Sequence, residues 1–513
     1  MFPATTPMKP TLRLATITSA VIALALLTLA SPSLAADGFA KVALPKIPSR
    51  TVSLADFGAV GDGAAMNTDA FARAIAALSA KGGGKLVVPP GIWLTGPVRL
   101  QSNIELHLER GAVIQFARDI NLYPLMVINM KGEKEVDSIS PIFGQDLENV
   151  AITGYGIIDG GGDAWRSMKK GKPTEGEWNA LVKSGGVLND KGDTWYPSKA
   201  VMIGETKKIV QKLRETNCLD LAQYEPYHQV LRPKMLRLIG CKKVLLQDFI
   251  IQNPPNWTMN PALCENVSIL NVQVRNSPLA QNSDALDLES CRHAIIRGCI
   301  FDDGDDGICI KSGKDAAGRR IGVPTEDVLV DGCIVYHAHG GFTIGSEMSG
   351  GVRNMLVTNC TFIGTDVGLR FKSNRGRGGV VENIRVTDIR MADIVGDAIN
   401  FDLYYGNKST LESGDSNSET NTPAVSEETP AFRDIHITNV VCRGAHKAIV
   451  LQGLPEMPVR NITLKNVSIT SQQGVSVTDA DGITFDNVSV ESKAGGEVVK
   501  TVRVANSKLD LAK

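Results

Sequence analysis

A short alternating strand, apolar-x-apolar followed by Asn, Asp or Gly and a second short strand, recurs along the chain at irregular intervals of about 20 to 35 residues. Its first apolar positions are Val244, Val267, Ala294, Val328, Met355, Ile384, Ile435, Ile462 and Ile483. A fixed core pattern with variable spacing suits a parallel β-helix, in which each coil adds strands to the same stacked sheets and loops of any length leave at the corners. A β-propeller would need more regular blades and longer antiparallel strands. The predicted class is all-β: a right-handed parallel β-helix (solenoid) with an N-terminal capping helix and a partly helical insertion. Composition agrees, since 50 Gly and only 5% aromatics among 513 residues suit many short strands separated by turns. With 54 Lys+Arg against 55 Asp+Glu, neither a basic nucleic-acid binder nor a highly charged disordered tail fits.

The later strand of each coil aligns more sharply. Leu286, Ile308, Phe342, Leu369, Ile399 and Ile449 form one column, and Leu288, Ile310, Ile344, Phe371, Phe401 and Leu451 another two residues on. Period-two spacing turns both columns inward. The intervening residues then face solvent: Asp287, Cys309, Thr343, Arg370 and Asn400, then Glu289, Lys311, Gly345, Lys372 and Asp402. Ser290, Ser312, Ser346 and Ser373 end four successive strands and read as a hydroxyl ladder at a turn.

The corner before this strand carries the chemistry. Asp284 and Asp306 share a column on adjacent coils, Asp305 lies in the preceding column, and His339 sits one coil further. Coils stack roughly 4.8 Å apart, so four titratable groups converge. Strict alternation would turn Asp306 inward and Asp305 outward, and burying a bare carboxylate is costly. Gly304 and Gly307 flank the pair and permit a bend that turns both outward. Taken alone, an Asp pair more often decorates a turn or holds a structural cation. Stacking with Asp284, His339 and the downstream Arg370 and Lys372 favours a reactive site.

These motifs resemble those of the polygalacturonases of glycoside hydrolase family 28, and in particular its bacterial secreted exo-polygalacturonase-like members. Asn282-Ser283-Asp284 resembles the family's Asn-Thr-Asp, Asp305-Asp306 its paired aspartates, His339-Gly340 the end of its Gly-His-Gly, and Arg370-Phe371-Lys372 its Arg-Ile-Lys. Two departures stand out. Ser283 replaces the usual Thr but keeps the hydroxyl, and Ala338 replaces the first Gly of Gly-His-Gly, which would displace His339 if that position needs positive φ. The resemblance implies single-displacement, inverting hydrolysis of α-1,4-galacturonosidic bonds in pectin. Asp305 would be the acid, Asp284 and Asp306 would hold and deprotonate the water, and His339 would orient the acid or its proton network. Arg370, Lys372, Lys311 and Asn282 would bind substrate, with Glu347, Asp402, Tyr404 and Tyr405 near neighbouring subsites.

An Arg fork beside a Lys suits the planar carboxylate of a uronic acid, so a pectic polysaccharide or oligogalacturonide is the expected partner, and neither nucleic acid nor membrane is. The bland reading of Arg370 and Lys372 is a solvated basic face. Three alternatives remain: a rhamnogalacturonan hydrolase, a pectate lyase-like enzyme using calcium and an arginine base, and a noncatalytic carbohydrate-binding β-helix. No CxxC or Cys/His cluster has metal spacing, and no cofactor is expected. The pattern fixes no oligomeric state.

The flanks complete the reading. Lys9 and Arg13 precede an apolar run from Leu14 to Ala30, with small residues at Ser33 and Ala35, so residues 1–35 read as a signal peptide and the product as secreted or periplasmic. A membrane anchor is the competing reading. Residues 36–513 read as one β-helix domain. Within it, Asn67 to Ala80 has helical spacing and would cap the open end of the solenoid. Residues 160–233 read as an insertion, which would make the enzyme exo-acting if it closes one end of the cleft, and 408–430 as a flexible loop. Nine Cys, several at equal offsets in successive repeats, read as stacked columns of buried thiols.

Overall fold

A computed structural model describes residues 41–406, 422–493 and 497–512. The predicted signal peptide and residues 408–421 of the predicted flexible loop lie outside the described residues. The described chain is a right-handed parallel β-helix whose main sheet system contains 33 strands, all paired in parallel. One coil shows the rule: Leu236–Ile239, Lys242–Gln247 and Ile250–Gln252 pair with Met259–Ala262, Glu265–Leu270 and Gln273–Arg275 of the next. Each coil therefore feeds three stacks, and loops leave between them.

The corners are set by backbone chemistry. Lys243, Asn266, His293, Asp327, Asn354, Asn383, Asp434 and Asn461, each directly before the first apolar position of its repeat, all have positive φ. Asn and Asp tolerate this left-handed region better than other side chains, which is why they recur there. Their amides also bond up the stack: Asn383 Nδ2 donates to Asn354 Oδ1 at 2.7 Å, and Asn461 Nδ2 to Asp434 Oδ1 at 3.0 Å. With the corners fixed, period-two alternation decides what is inside.

Seven strands form the stack that matters for function: β1 (Met259–Ala262), β2 (Leu286–Glu289), β3 (Asp306–Lys311), β4 (Gly340–Gly345), β5 (Leu369–Lys372), β6 (Asp397–Asp402) and β7 (Lys447–Gln452). Leu286, Ile308, Phe342, Leu369, Ile399 and Ile449 pair in the predicted column, and so do Leu288, Ile310, Ile344, Phe371, Phe401 and Leu451. All twelve are buried in the core, where the Phe371 and Phe401 rings stack at 4.2 Å. The outward columns differ from expectation. Asp287, Cys309, Thr343, Lys311 and Lys372 do lie outside the solenoid, yet all are buried. Trp257 lies over Lys311 and Tyr405 over Lys372, so residues from other segments cover what the strand pattern alone assigns to solvent. All four serines are buried, but Ser346 accepts from Arg377 and Ser373 donates to Met348 Sδ, so they form no hydroxyl ladder.

The flanks follow from the same chemistry. Helix α1 (Thr68–Ser79) buries Ala70, Phe71, Ala74, Ile75 and Leu78 against the first coils, as its spacing predicts. The insertion holds helices Glu175–Lys183, Lys199–Thr206, Ile209–Glu215 and Leu221–Tyr224 and a small antiparallel sheet. An antiparallel hairpin, Leu125–Met130 with Glu133–Ser138, and a helix, Asp315–Ile321, are additions the repeat did not signal. All nine cysteines are free and eight are buried, with Cys241, Cys264 and Cys291 in one column. Among the described residues no helix is long and apolar enough to cross a membrane.

If the corners depend on left-handed backbone, Asn383→Gly keeps the conformation and loses only the ladder bond, whereas Asn383→Val loses both. The Val variant is expected to unfold at lower temperature than the Gly variant, by an added strain of about 1–3 kcal/mol, as read from melting curves of both proteins.

Candidate active site

The site forms where β3 begins. Gly307 takes the inward-facing place: a Cβ there would sit 2.4 Å from Val335 Cγ1. Asp306 is thereby turned out of the solenoid, onto the side occupied by Cys309, Thr343 and Arg370. Gly304 is equally constrained, because a Cβ would meet the carbonyl oxygens of Ala280, Pro278 and Ser277 within 2.8 Å. The flanking glycines thus do what the sequence requires of them.

Asp284, Asp305 and Asp306 converge, each offering a carboxylate oxygen within 4.8 Å of the others. Their environments differ. Asp306 is buried and receives Lys372 Nζ at 2.6 Å, Arg370 Nη1 at 3.2 Å and Thr343 Oγ1 at 3.2 Å. Burial opposes its ionisation, but the charges of Lys372 and Arg370 prevail and hold it well below the usual carboxylate range. Asp284 is pushed well above that range, first by burial and then by the charge of Asp287, although Lys311 Nζ lies 3.4 Å from its Oδ2. Asp305 is partly exposed and accepts the backbone N–H of Asn282 at 3.2 Å and its own neighbour Asp306 N–H at 3.0 Å. His339 Nδ1 lies 3.2 Å from Asp305 Oδ1 and Nε2 lies 3.8 Å from Asp366 Oδ2; its pKa is raised chiefly by the hydrogen bond to Asp305.

Both sequence departures are absorbed. Ser283 Oγ donates to Ala280 O at 2.9 Å and accepts Gly304 N–H at 3.2 Å, so a hydroxyl is what that position uses. Ala338 is buried and has no positive φ; the left-handed residue is His337, one place earlier. Gly340, by contrast, leaves room that the site uses. A Cβ there would lie 2.1 Å from Thr343 Oγ1, 3.1 Å from Asp306 Oδ1 and 3.3 Å from Arg370 Cδ, in the middle of the ion pair.

Around this centre, Lys311 Nζ sits 2.8 Å from Asp287 Oδ1 and 3.7 Å from Glu347 Oε2. Burial pushes Asp287 up to about 7 despite Lys311, whereas Lys311, Lys372 and Arg377 hold Glu347 down at about 2 against its burial. Tyr405 flanks Arg370 and Lys372, whereas Tyr404 packs in the core with Arg375 over its ring. Asp402 accepts Tyr404 N–H at 2.8 Å. Asn282, with φ of 54°, is exposed and its Oδ1 accepts Arg232 Nη2 at 2.7 Å. The sequence reading missed Trp257, Thr343, Arg232 and Asp303. Asp303 is fully buried beside the three aspartates, with its pKa driven up by burial. Its signal in the sequence is the first Asp pair of the run FDDGDDG.

A cavity of about 700 Å³ opens beside Asn282, Trp257 and Glu347, and its far wall is made by the insertion (Val210, Arg214, Tyr224) and the antiparallel hairpin (Glu135, Asp137). The insertion therefore lines the cavity that adjoins Asn282 and Glu347, together with the helix Asp315–Ile321. The family model described as Glycosyl hydrolases family 28 matches residues 178–481, more than half of the chain. The chain belongs to that family. This family 28 protein is accordingly a glycoside hydrolase. It is 34% identical to a hyperthermoactive exopolygalacturonase from Thermotoga maritima, with a TM-score of 0.72 over 88% of this chain and 94% of that one. It is 26% identical to an exo-poly-alpha-D-galacturonosidase of Dickeya chrysanthemi over 87% of this chain and 72% of the relative. A probable polygalacturonase of Vitis vinifera is 27% identical over 85% of this chain and 78% of its own length.

The depressed pKa of Asp306 makes a stability prediction. A group depressed on folding stabilises above its unfolded pKa, about 3.9, and loses that contribution as pH falls toward the folded value. Asp306→Asn, which strands Lys372 and Arg370, is expected to melt below the wild type by an equal margin from pH 7 to about 4. The gap should close only below that, and a gap already closing at pH 6 would contradict the assignment.

Proposed function

We propose that this hydrolase cleaves α-1,4-galacturonosidic bonds of pectin or polygalacturonate, removing units from a chain end with inversion at the anomeric carbon. The observation that carries the reading is the junction of three carboxylates with Arg370 and Lys372. Arg370 spends Nη1 on Asp306 and His339 O, and among the described residues its Nε and Nη2 make no hydrogen bond, leaving one edge of the fork for a uronate carboxylate. The names of the Thermotoga and Dickeya relatives, both exo-acting on polygalacturonate, support the substrate and the mode. The insertion on the wall of the cavity beside Asn282 is a second support for the mode.

The residues divide the work by environment. Asp305, in a hydrogen-bonded pair with His339, delivers a proton to the leaving oxygen, and His339 replenishes it. Asp306, kept ionised by Lys372 and Arg370, takes the proton of the attacking water, while Asp284, whose pKa is driven up, orients that water as a neutral acid. Like charges this close do not all ionise, so the split follows from the clustering itself. The nearest carboxylate oxygens, within 4.8 Å, are closer than the roughly 6.5–9.5 Å separation common between inverting carboxyl groups. Inversion therefore rests on this division of roles, not on spacing. The apolar run of residues 14–30 behind two basic residues supports export, to the medium or the periplasm.

Purified protein given polygalacturonate should release one small saturated product from the first minutes, with the anomer opposite to the substrate linkage by proton NMR. Asp305→Asn should lower turnover by about 10²–10⁴-fold with an unchanged melting curve. Activity should survive a chelator; an ultraviolet-absorbing unsaturated product that disappears with chelator would establish the lyase reading instead.

A further inference from the structure

The cavity beside Trp257 has an unusual charge balance. Its acids are mostly spoken for: Glu135 and Asp137 each pair with Arg237 at 3.0 Å, Glu133 pairs with Arg320, and Glu347 lies 3.7 Å from Lys311. Glu289 accepts from Asn260 at 3.3 Å. Four cations on the wall have no carboxylate within 4 Å among the described residues: Lys134 and Lys314, which are exposed, and Arg232 and Lys234, which are half-buried. Arg232 gives its hydrogen bonds to Pro255 O, Gln281 O and Asn282 Oδ1, all neutral acceptors. Lys234 has no carboxylate within 4 Å among the described residues; its ammonium stands 4.6 Å from the centre of the Trp257 ring. Glu135, Glu289 and Asp137 act on it only at longer range, while Arg237 repels it and burial pulls its pKa down.

Trp257 ties this wall to the chemistry. The same indole carries Lys311 Nζ at 3.6 Å, and Lys311 touches Asp284. Arg232 holds Asn282, whose N–H holds Asp305. The unpaired ammonium is thus linked to the cleavage point through Trp257 and Lys311, and sits on the side opposite to Arg370 and Lys372 in coil order. Half-buried cations without a counter-ion carry a desolvation cost that a bound anion would offset. A polygalacturonate chain brings one carboxylate per sugar, so a chain end lodged against the insertion wall delivers an anion to this place.

We propose that Lys234, supported by Arg232, is a specificity-determining residue that binds the carboxylate of the terminal uronate in the walled cavity. The inference rests on the exo reading above. It makes the enzyme selective for an acidic chain end over a neutral one, independently of the Arg370–Lys372 contact on the other side of the cleaved bond.

The test measures kcat and KM of the full-length protein on trigalacturonate. Lys234→Met is expected to raise KM at least tenfold with kcat within twofold of wild type and an unchanged melting temperature. Lys234→Arg should recover most of the loss, and wild-type enzyme on a trimer whose terminal carboxyls are reduced to alcohols should show the high KM of the Met variant. An unchanged KM in Lys234→Met, with single-sized product still released from polygalacturonate by the wild type, overturns this assignment alone. A ladder of products from the wild type overturns the exo reading and this inference with it.

Discussion

Parallel stacking at a single inter-strand distance governs everything else in this molecule. Because every coil repeats the register of the one before, residues far apart in sequence become neighbours whenever they share a column. Asp306 stands directly above the column position of Asp284, and Gly340 above Asp306, which opens the space through which Arg370 reaches back. The same geometry that crowds acids also supplies their counter-charges, since Lys311, Arg370 and Lys372 project from the same outer face on nearby coils. A buried carboxylate is costly alone; here the ladder that creates the cost delivers the compensation.

Much of this is legible in the sequence. Period-two columns and the Asn and Asp corners follow from backbone sterics, so both inward columns and α1 are read correctly from residue pattern alone. The convergence of Asp284, Asp305, Asp306 and His339 followed from column counting, and the outward turn of Asp306 from its flanking glycines. What was not legible has one physical cause. Trp257, Tyr405 and the hairpin from Leu125 to Ser138 arrive from segments with no repeat, so the strands that they cover looked solvated in sequence. Tyr404 and Tyr405 are adjacent yet face opposite ways, one into the core and one over Lys372, a distinction that no composition rule supplies.

The division of labour among three chemically identical side chains is set by their surroundings. Asp306 is surrounded by donors and cations, Asp284 by burial and a like charge, and Asp305 by backbone amides and an imidazole. Asp284 and Asp306 are distinguished by the coil they occupy, and Asp305 from Asp306 by the direction each side chain takes at the bend between Gly304 and Gly307. The glycines at 304, 307 and 340 keep that register chemically useful, because each vacates a place that a methyl group would fill with backbone, core or ion pair.

The thiol columns carry a different implication. All nine cysteines are unbridged, and the columns at Cys241, Cys264 and Cys291 serve as small apolar fillers between coils. Among the described residues the coils are thus held to one another by packing and by ladder hydrogen bonds, with no covalent staple between them. Each thiol in these columns contributes as a small apolar side chain whose loss to Ala would leave a gap between two neighbouring coils.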